Sequence, residues 1–155
     1  MAELHPSLEP FAKLVGTWRG RGTGVYPTIQ GFEYLEEVTF IDVGGKPFLT
    51  YTQRTRDAFT DTPLHTETGY LRPGHDDRAE WVISQPTGIG ETLVASPGSL
   101  EFESTEVTLT PSAKPCTGVR RLLTLDGDTL TYEVHMAAVG EPMQLHLRAT
   151  LSRVT

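Results

Sequence analysis

From Thr17 onward the chain alternates apolar and polar residues with a period of two, and turn-forming residues interrupt the alternation at short intervals. Successive side chains of a strand point to opposite faces, so this pattern marks strands with one buried face. Candidate strands run over Thr17–Gly24, Phe32–Val43, Phe48–Arg56, Leu64–Arg72, Ala79–Gln85, Gly90–Ala95, Leu100–Glu103, Glu106–Thr110, Thr117–Asp126, Thr129–Ala137 and Gln144–Val154. Gly44-Gly45, Pro73-Gly74-His75-Asp76, Pro97-Gly98 and Asp126-Gly127-Asp128 separate them, the last being the strongest hairpin signal. Strands that succeed one another without helical crossovers form an antiparallel meander, and closure of the meander removes its edges. The expected fold is therefore all-β: an antiparallel up-and-down barrel of about ten strands, with one short N-terminal helix. That helix is expected over Pro6–Val15, where Leu8, Phe11, Ala12 and Val15 share a face, Ser7 serves as N-cap and Gly16 ends it. With 155 residues, the chain is expected to form a single domain over 1–155.

Composition narrows the partners. The net charge is −7, and the adjacent Arg120 and Arg121 point to opposite faces of a strand and make no basic patch. Nucleic acid and anionic membranes are thereby excluded as expected partners. Cys116 is the single cysteine, so no internal disulfide can form. The start Met-Ala-Glu-Leu-His carries no secretory pattern, and no apolar run approaches the ~20 residues of a spanning helix, so a cytoplasmic location is expected. A homodimer is left open.

Three segments carry more information. In the first candidate strand, Gly16, Trp18, Gly20, Gly22 and Gly24 share one parity, an indole followed by bare backbone. Glycine weakens a strand unless the strand bends or something approaches it closely. The bend is favoured, with Trp18 plugging one end of the barrel against the helix. Next comes Tyr26-Pro27-Thr28-Ile29, where proline stops the ladder and begins a simple connection, a short helical turn or a lid. Last is the C-terminal hairpin. Leu130, Tyr132, Val134 and Met136 share one face of its first arm, leaving His135 on the wet side. Leu145, Leu147, Ala149 and Leu151 share one face of the second, leaving His146 at the opposite parity. His5 and His75 fall in a terminus and a turn, and His65 begins a strand. The histidine spacing does not fit a cupin-type metal site, and no His–carboxylate constellation stands out. Cys-x-x-Cys-His is absent, so a haem would be held non-covalently.

Gly16-Thr17-Trp18-Arg19-Gly20-Arg21-Gly22 resembles the Gly-x-Trp-x-Gly-x-Gly signature of the nitrobindin family. Tyr26-Pro27-Thr28, Pro63-Leu64-His65 before Gly69-Tyr70, Gln85 before Thr87-Gly88, Met136 and His146-Leu147 follow in that family's order, so the resemblance covers nearly the whole chain. It implies a small barrel related in shape to fatty-acid-binding proteins, with haem b at one end and His146 as axial ligand to the iron. It further implies that Thr28 and Lys114 contact the haem and that His65, Gln85 and Met136 line the cavity. The implied activities are nitric oxide binding and isomerisation of peroxynitrite to nitrate, which makes His146 the residue on which catalysis rests. For that assignment the parity of His146 requires a bulge near the strand's start, an irregular lead-in, or a cavity on the mixed face. Two other functions suit a barrel of this kind: a carrier of an apolar small molecule, or a nitric oxide sensor or store without turnover.

Overall fold

The computed structural model describes residues 3–154. Ten strands, β1 (Gly16–Tyr26), β2 (Ile29–Asp42), β3 (Leu49–Asp57), β4 (Pro63–Pro73), β5 (Ala79–Ser84), β6 (Ile89–Ala95), β7 (Glu101–Leu109), β8 (Cys116–Asp126), β9 (Thr129–Ala138) and β10 (Gln144–Arg153), pair antiparallel in chain order. The sheet closes through β1 and β10, from Trp18 opposite Arg153 to Gly24 opposite Leu147. The expected barrel is therefore what forms. The candidates Leu100–Glu103 and Glu106–Thr110 are one strand, β7. Thr92 faces Glu106 and Leu93 faces Ser104, so Thr105 is an inserted residue rather than a turn.

The N-terminal helix spans Pro6–Leu14 and is of the 3-10 type. Pro10 inside it lacks an N–H and crowds the preceding carbonyls, which disfavours continuous α-helix. Its buried residues, Leu8, Phe11 and Leu14, repeat every third position, as 3.0 residues per turn require. The N-cap is His5 rather than Ser7: the imidazole accepts the Ser7 backbone N–H at 3.2 Å.

This helix closes one end of the barrel. Trp18 is wholly buried there and its indole N–H donates to the Leu14 carbonyl at 2.9 Å. The Arg153 guanidinium lies 4.3 Å from the centre of the Trp18 ring and donates to the Val15 and Lys13 carbonyls at 2.6 and 2.7 Å. Past Trp18, the glycines make room for the protein itself. A side-chain carbon at Gly20 would meet the β10 backbone, with Leu151 Cα at 2.7 Å; at Gly22 it would meet the Tyr34 ring, and at Gly24 the Phe32 ring. Close approach, more than a bend, is what these glycines serve.

Because the strands run up and down, every odd-to-even connection falls at the other end. Pro27-Thr28, residues 58–62, 85–88, 110–115 and 139–143 all lie there. This end is the mouth.

Candidate functional site

The six residues that the resemblance assigns to the haem site stand at the mouth or within a few positions of it. Thr28 is exposed at the tip of the two-residue β1–β2 turn, which forms neither a helical turn nor a lid. Lys114 is exposed in the β7–β8 connection. Gln85 follows β5 and is half-buried, as are His65 near the start of β4, Met136 near the end of β9 and His146 near the start of β10.

The parity of His146 is resolved by a bulge. Leu145 pairs with His135 and Leu147 with Val134, so His146 is the additional residue of β10. Such an insertion re-aims a side chain without disturbing the alternation beyond it. Leu147 accordingly lines the interior, and Ala149 and Leu151 are buried. The His146 ring is fixed on two sides. Its Nδ1–H donates to the Val25 carbonyl at 3.0 Å, and its centre lies 5.5 Å from that of Tyr26, nearly perpendicular to it. Val25 offers that carbonyl because the β1–β10 register ends at Gly24 and the β1–β2 ladder is interrupted between Gly24 and Tyr26. Tyr26 in turn donates to the Met136 carbonyl at 3.0 Å and accepts the Ala138 N–H at 3.0 Å, tying β1 to the end of β9. Burial lowers the imidazole's affinity for a proton, and the charge of Arg121 adds to this against the Val25 hydrogen bond. With Nδ1 donating to a carbonyl, Nε2 keeps its lone pair free, which is the arrangement of a metal-ligating histidine with its outer hydrogen bond in place. Among the described residues no three or more His, Cys, Asp or Glu side chains are grouped as a metal cage. One free imidazole nitrogen at an open mouth suits an iron that brings its own porphyrin nitrogens.

Behind the mouth, the lumen holds charges that the sequence reading did not place there. Arg121, which the alternation places on the face opposite Arg120, points inward and is buried with Glu67 and Glu91. It forks onto Glu67 through Nη1 and Nη2 at 2.6 and 3.3 Å, and onto Glu91 through Nε and Nη2 at 3.0 and 2.7 Å. Its guanidinium also lies 5.5 Å from the Trp81 ring centre. Tyr51 donates to Glu67 at 2.7 Å. His65 meets the same carboxylate through Nε2 at 3.0 Å, so a His–carboxylate pair is present where none was expected. Burial would raise the Glu67 carboxyl, but Arg121 and His65 outweigh it and hold the group well below the usual carboxylate range. The signal in the sequence was a charged residue at a core parity: Arg121 between Val119 and Leu123, Glu67 between His65 and Gly69.

A second group surrounds Glu36, which accepts from Gln53 Nε2 at 2.6 Å and from the Tyr132 hydroxyl at 2.9 Å. Burial pushes its carboxyl up to about 7. Glu36 Oε1 and Gln53 Oε1 are buried with no protein partner among the described residues. Two neighbouring acceptors without a donor are what a carboxyl held in its protonated form relieves. The folded state thus binds this proton more tightly than the unfolded chain, so Glu36 costs nothing below about pH 4.5. Stability is then lost as pH rises to about 7, by about 3 kcal/mol in all, and is flat beyond. Glu36→Gln supplies a donor for Gln53 Oε1 and removes the titration. Urea unfolding at pH 4 and pH 8 should show the wild type losing stability between them and the variant losing about 3 kcal/mol less.

The fold and the mouth together define a barrel closed at one end and presenting at the other an imidazole, that of His146, fixed through Nδ1 with Nε2 free. The sequence model of the THAP4-like, heme-binding beta-barrel domain matches residues 7–153, and the chain belongs to that family, the nitrobindins. Peroxynitrite isomerase 1 of Mycolicibacterium paratuberculosis is 52% identical over 97% of both chains. The peroxynitrite isomerase of Nocardia farcinica is 47% identical over 97% of this chain and 92% of its own. The crystal structure of Rv2717c from M. tuberculosis superposes with a TM-score of 0.89 at 45% identity, covering 99% of this chain and all of that one. Among the described residues no helix is long and apolar enough to cross a membrane.

Proposed function

We propose that the chain holds haem b at its mouth through His146 Nε2 and isomerises peroxynitrite to nitrate there. The observation that carries the reading is the Nδ1–H bond from His146 to the Val25 carbonyl, which orients Nε2 and leaves it unprotonated. Full-length relatives at about half identity that bear the name peroxynitrite isomerase support the reaction. Tyr26 holds the ring in place, and Met136 forms an apolar wall. Lys114 and Thr28, exposed on two loops of the same rim, suit the polar edge of a haem with an ammonium and a hydroxyl. His65 and Gln85 line the pocket from β4 and from the end of β5. When bound, the haem supplies an iron with one face open to a small ligand, either peroxynitrite or nitric oxide. Conversion of peroxynitrite to nitrate rearranges one anion with no net change in protons or electrons, so the chain's share is to bind, orient and enclose.

A carrier of an apolar ligand is disfavoured by the lumen. Its cavity has a volume of about 30 Å³ and is lined by Glu36, Glu67 and Arg121 as well as Trp81 and Leu147. Carrier pockets run to about 300 Å³ or more. The enzyme reading is tested by rapid mixing of peroxynitrite with haem-loaded chain, haem-free chain and loaded His146→Ala, followed by assay of nitrate and of nitrated free tyrosine. The loaded wild type should decay peroxynitrite fastest, with nitrate as product and less nitrotyrosine. A rate equal to that of the haem-free chain would leave a nitric oxide sensor or store.

A further inference from the structure

Arg121 is the meeting point of two arms that both end at the mouth. One runs from its Nη groups to Glu67 and on to His65 Nε2. The other runs from Nε and Nη2 to Glu91 and on to the side-chain amide of Gln85, whose Nε2 donates to Glu91 Oε2. The three charged groups come from β4, β6 and β8, alternate strands along one side of the barrel wall, and the guanidinium bridges the two carboxylates inside the lumen. None of the three touches the mouth directly. His65 and Gln85 do, and each is bonded on its inner side to one of the carboxylates.

The chemistry of the array fixes what its ends present. A guanidinium does not lose its proton in a protein, and four directed bonds from it leave Glu67 and Glu91 as ionised, acceptor-only groups. An acceptor-only partner at 3.0 Å requires a proton on His65 Nε2, so the ring turns its Nδ1 edge away from the array. Glu91 likewise requires the nitrogen end of the Gln85 amide, and the Thr87 hydroxyl, which donates to Gln85 Oε1 at 3.2 Å, fits that orientation. Two flexible side chains at the rim are thus each held in one orientation by a buried charge they share. Buried ion groups of this kind contribute little net stability compared with apolar replacements of the same shape, so stability alone does not account for the array.

We propose that Arg121 is a positioning residue for the mouth: by fixing Glu67 and Glu91 it aims His65 and Gln85 into the haem pocket. The inference rests on the reading of the mouth as that pocket. The test uses the full chain in two forms. In the haem-free form, the His65 Nε2–H proton is followed by NMR and identified by its loss in His65→Ala. In the haem-loaded form, the rate of haem transfer to an excess of a haem-scavenging apoprotein is measured. The variant is Arg121→Met with Glu67→Gln and Glu91→Gln, which leaves no unpaired charge. Arg121→Lys, which keeps the charge but not the fork, serves if the triple variant does not fold. The wild type should show a slowly exchanging, hydrogen-bonded Nε2–H. Either variant should lose it and should release haem about ten-fold faster. An unchanged Nε2–H resonance in a folded variant overturns the proposal whatever the haem does. Loss of the resonance with unchanged haem release upholds the positioning role and overturns instead the placement of His65 and Gln85 in the pocket.

Discussion

Replacing His146 with alanine should abolish the histidine-ligated absorption spectrum of the haem-loaded chain and weaken haem retention by a hundred-fold or more, while the haem-free barrel unfolds at the wild-type temperature. The first half follows from the donor set. His146 is the imidazole whose Nδ1 is committed to a backbone carbonyl and whose Nε2 is free at the mouth. His65 and His135 have Nε2 bonded to Glu67 and Glu133, and His5 sits against the closing helix as its N-cap. Loss of an outer hydrogen bond to a metal ligand costs about ten- to a hundred-fold in affinity, and loss of the ligand itself costs more. The second half follows from the bulge. Residue 146 is the inserted position of β10, half-exposed, and Leu147, Ala149 and Leu151 keep their places without it. Absorption titration with haem and a thermal melt of the haem-free form measure the two halves. Retained histidine ligation in His146→Ala, with its loss in His65→Ala, would transfer the role to His65.

Trp18→Ala should do the reverse. The indole is wholly buried, donates to Leu14 and lies under Arg153 at the closed end. Truncating a buried tryptophan costs about 3–5 kcal/mol, and in a chain of this size that lowers the melting temperature by about 10 °C. Trp18 and Tyr26 are near the two ends of β1, roughly 25 Å apart along the strand. Below its melting point, then, the variant should bind haem with near wild-type affinity. A large loss of haem affinity in the folded variant would show that the closed end and the mouth are coupled.

The strand pattern was legible because each strand has one wet face, so alternation survives in the sequence wherever the ladder is regular. It misled where the ladder is not. Thr105 divided one strand into two, and the extra residue at 146 reversed the apparent facing of His146. Bulges are decided by the partner strand, which a single segment does not reveal. The helix was found but not its type, although Pro10 and the three-residue spacing of Leu8, Phe11 and Leu14 were both present. The least legible part was the buried charge. Glu36 sits between Tyr34 and Val38, and Glu91 between Ile89 and Leu93, each at a core parity. That parity marks them as inward-facing. Which of them meet across the lumen depends on barrel closure, and no local pattern encodes it.

Closure also has an order in time. The first strand has the last as its partner, so β1 carries one open edge until residues 147–153 have been made. Such distant pairing is slow to form and exposes sticky edges while it waits. Arg153, which secures the helix and Trp18, belongs to the same late segment. So do both halves of the mouth's imidazole clamp: Val25 is synthesised early, His146 near the end, and the carbonyl has no ring to hold until the barrel shuts. A nascent chain therefore emerges with the mouth's imidazole unheld, and fixes it in the same event that makes the chain a barrel.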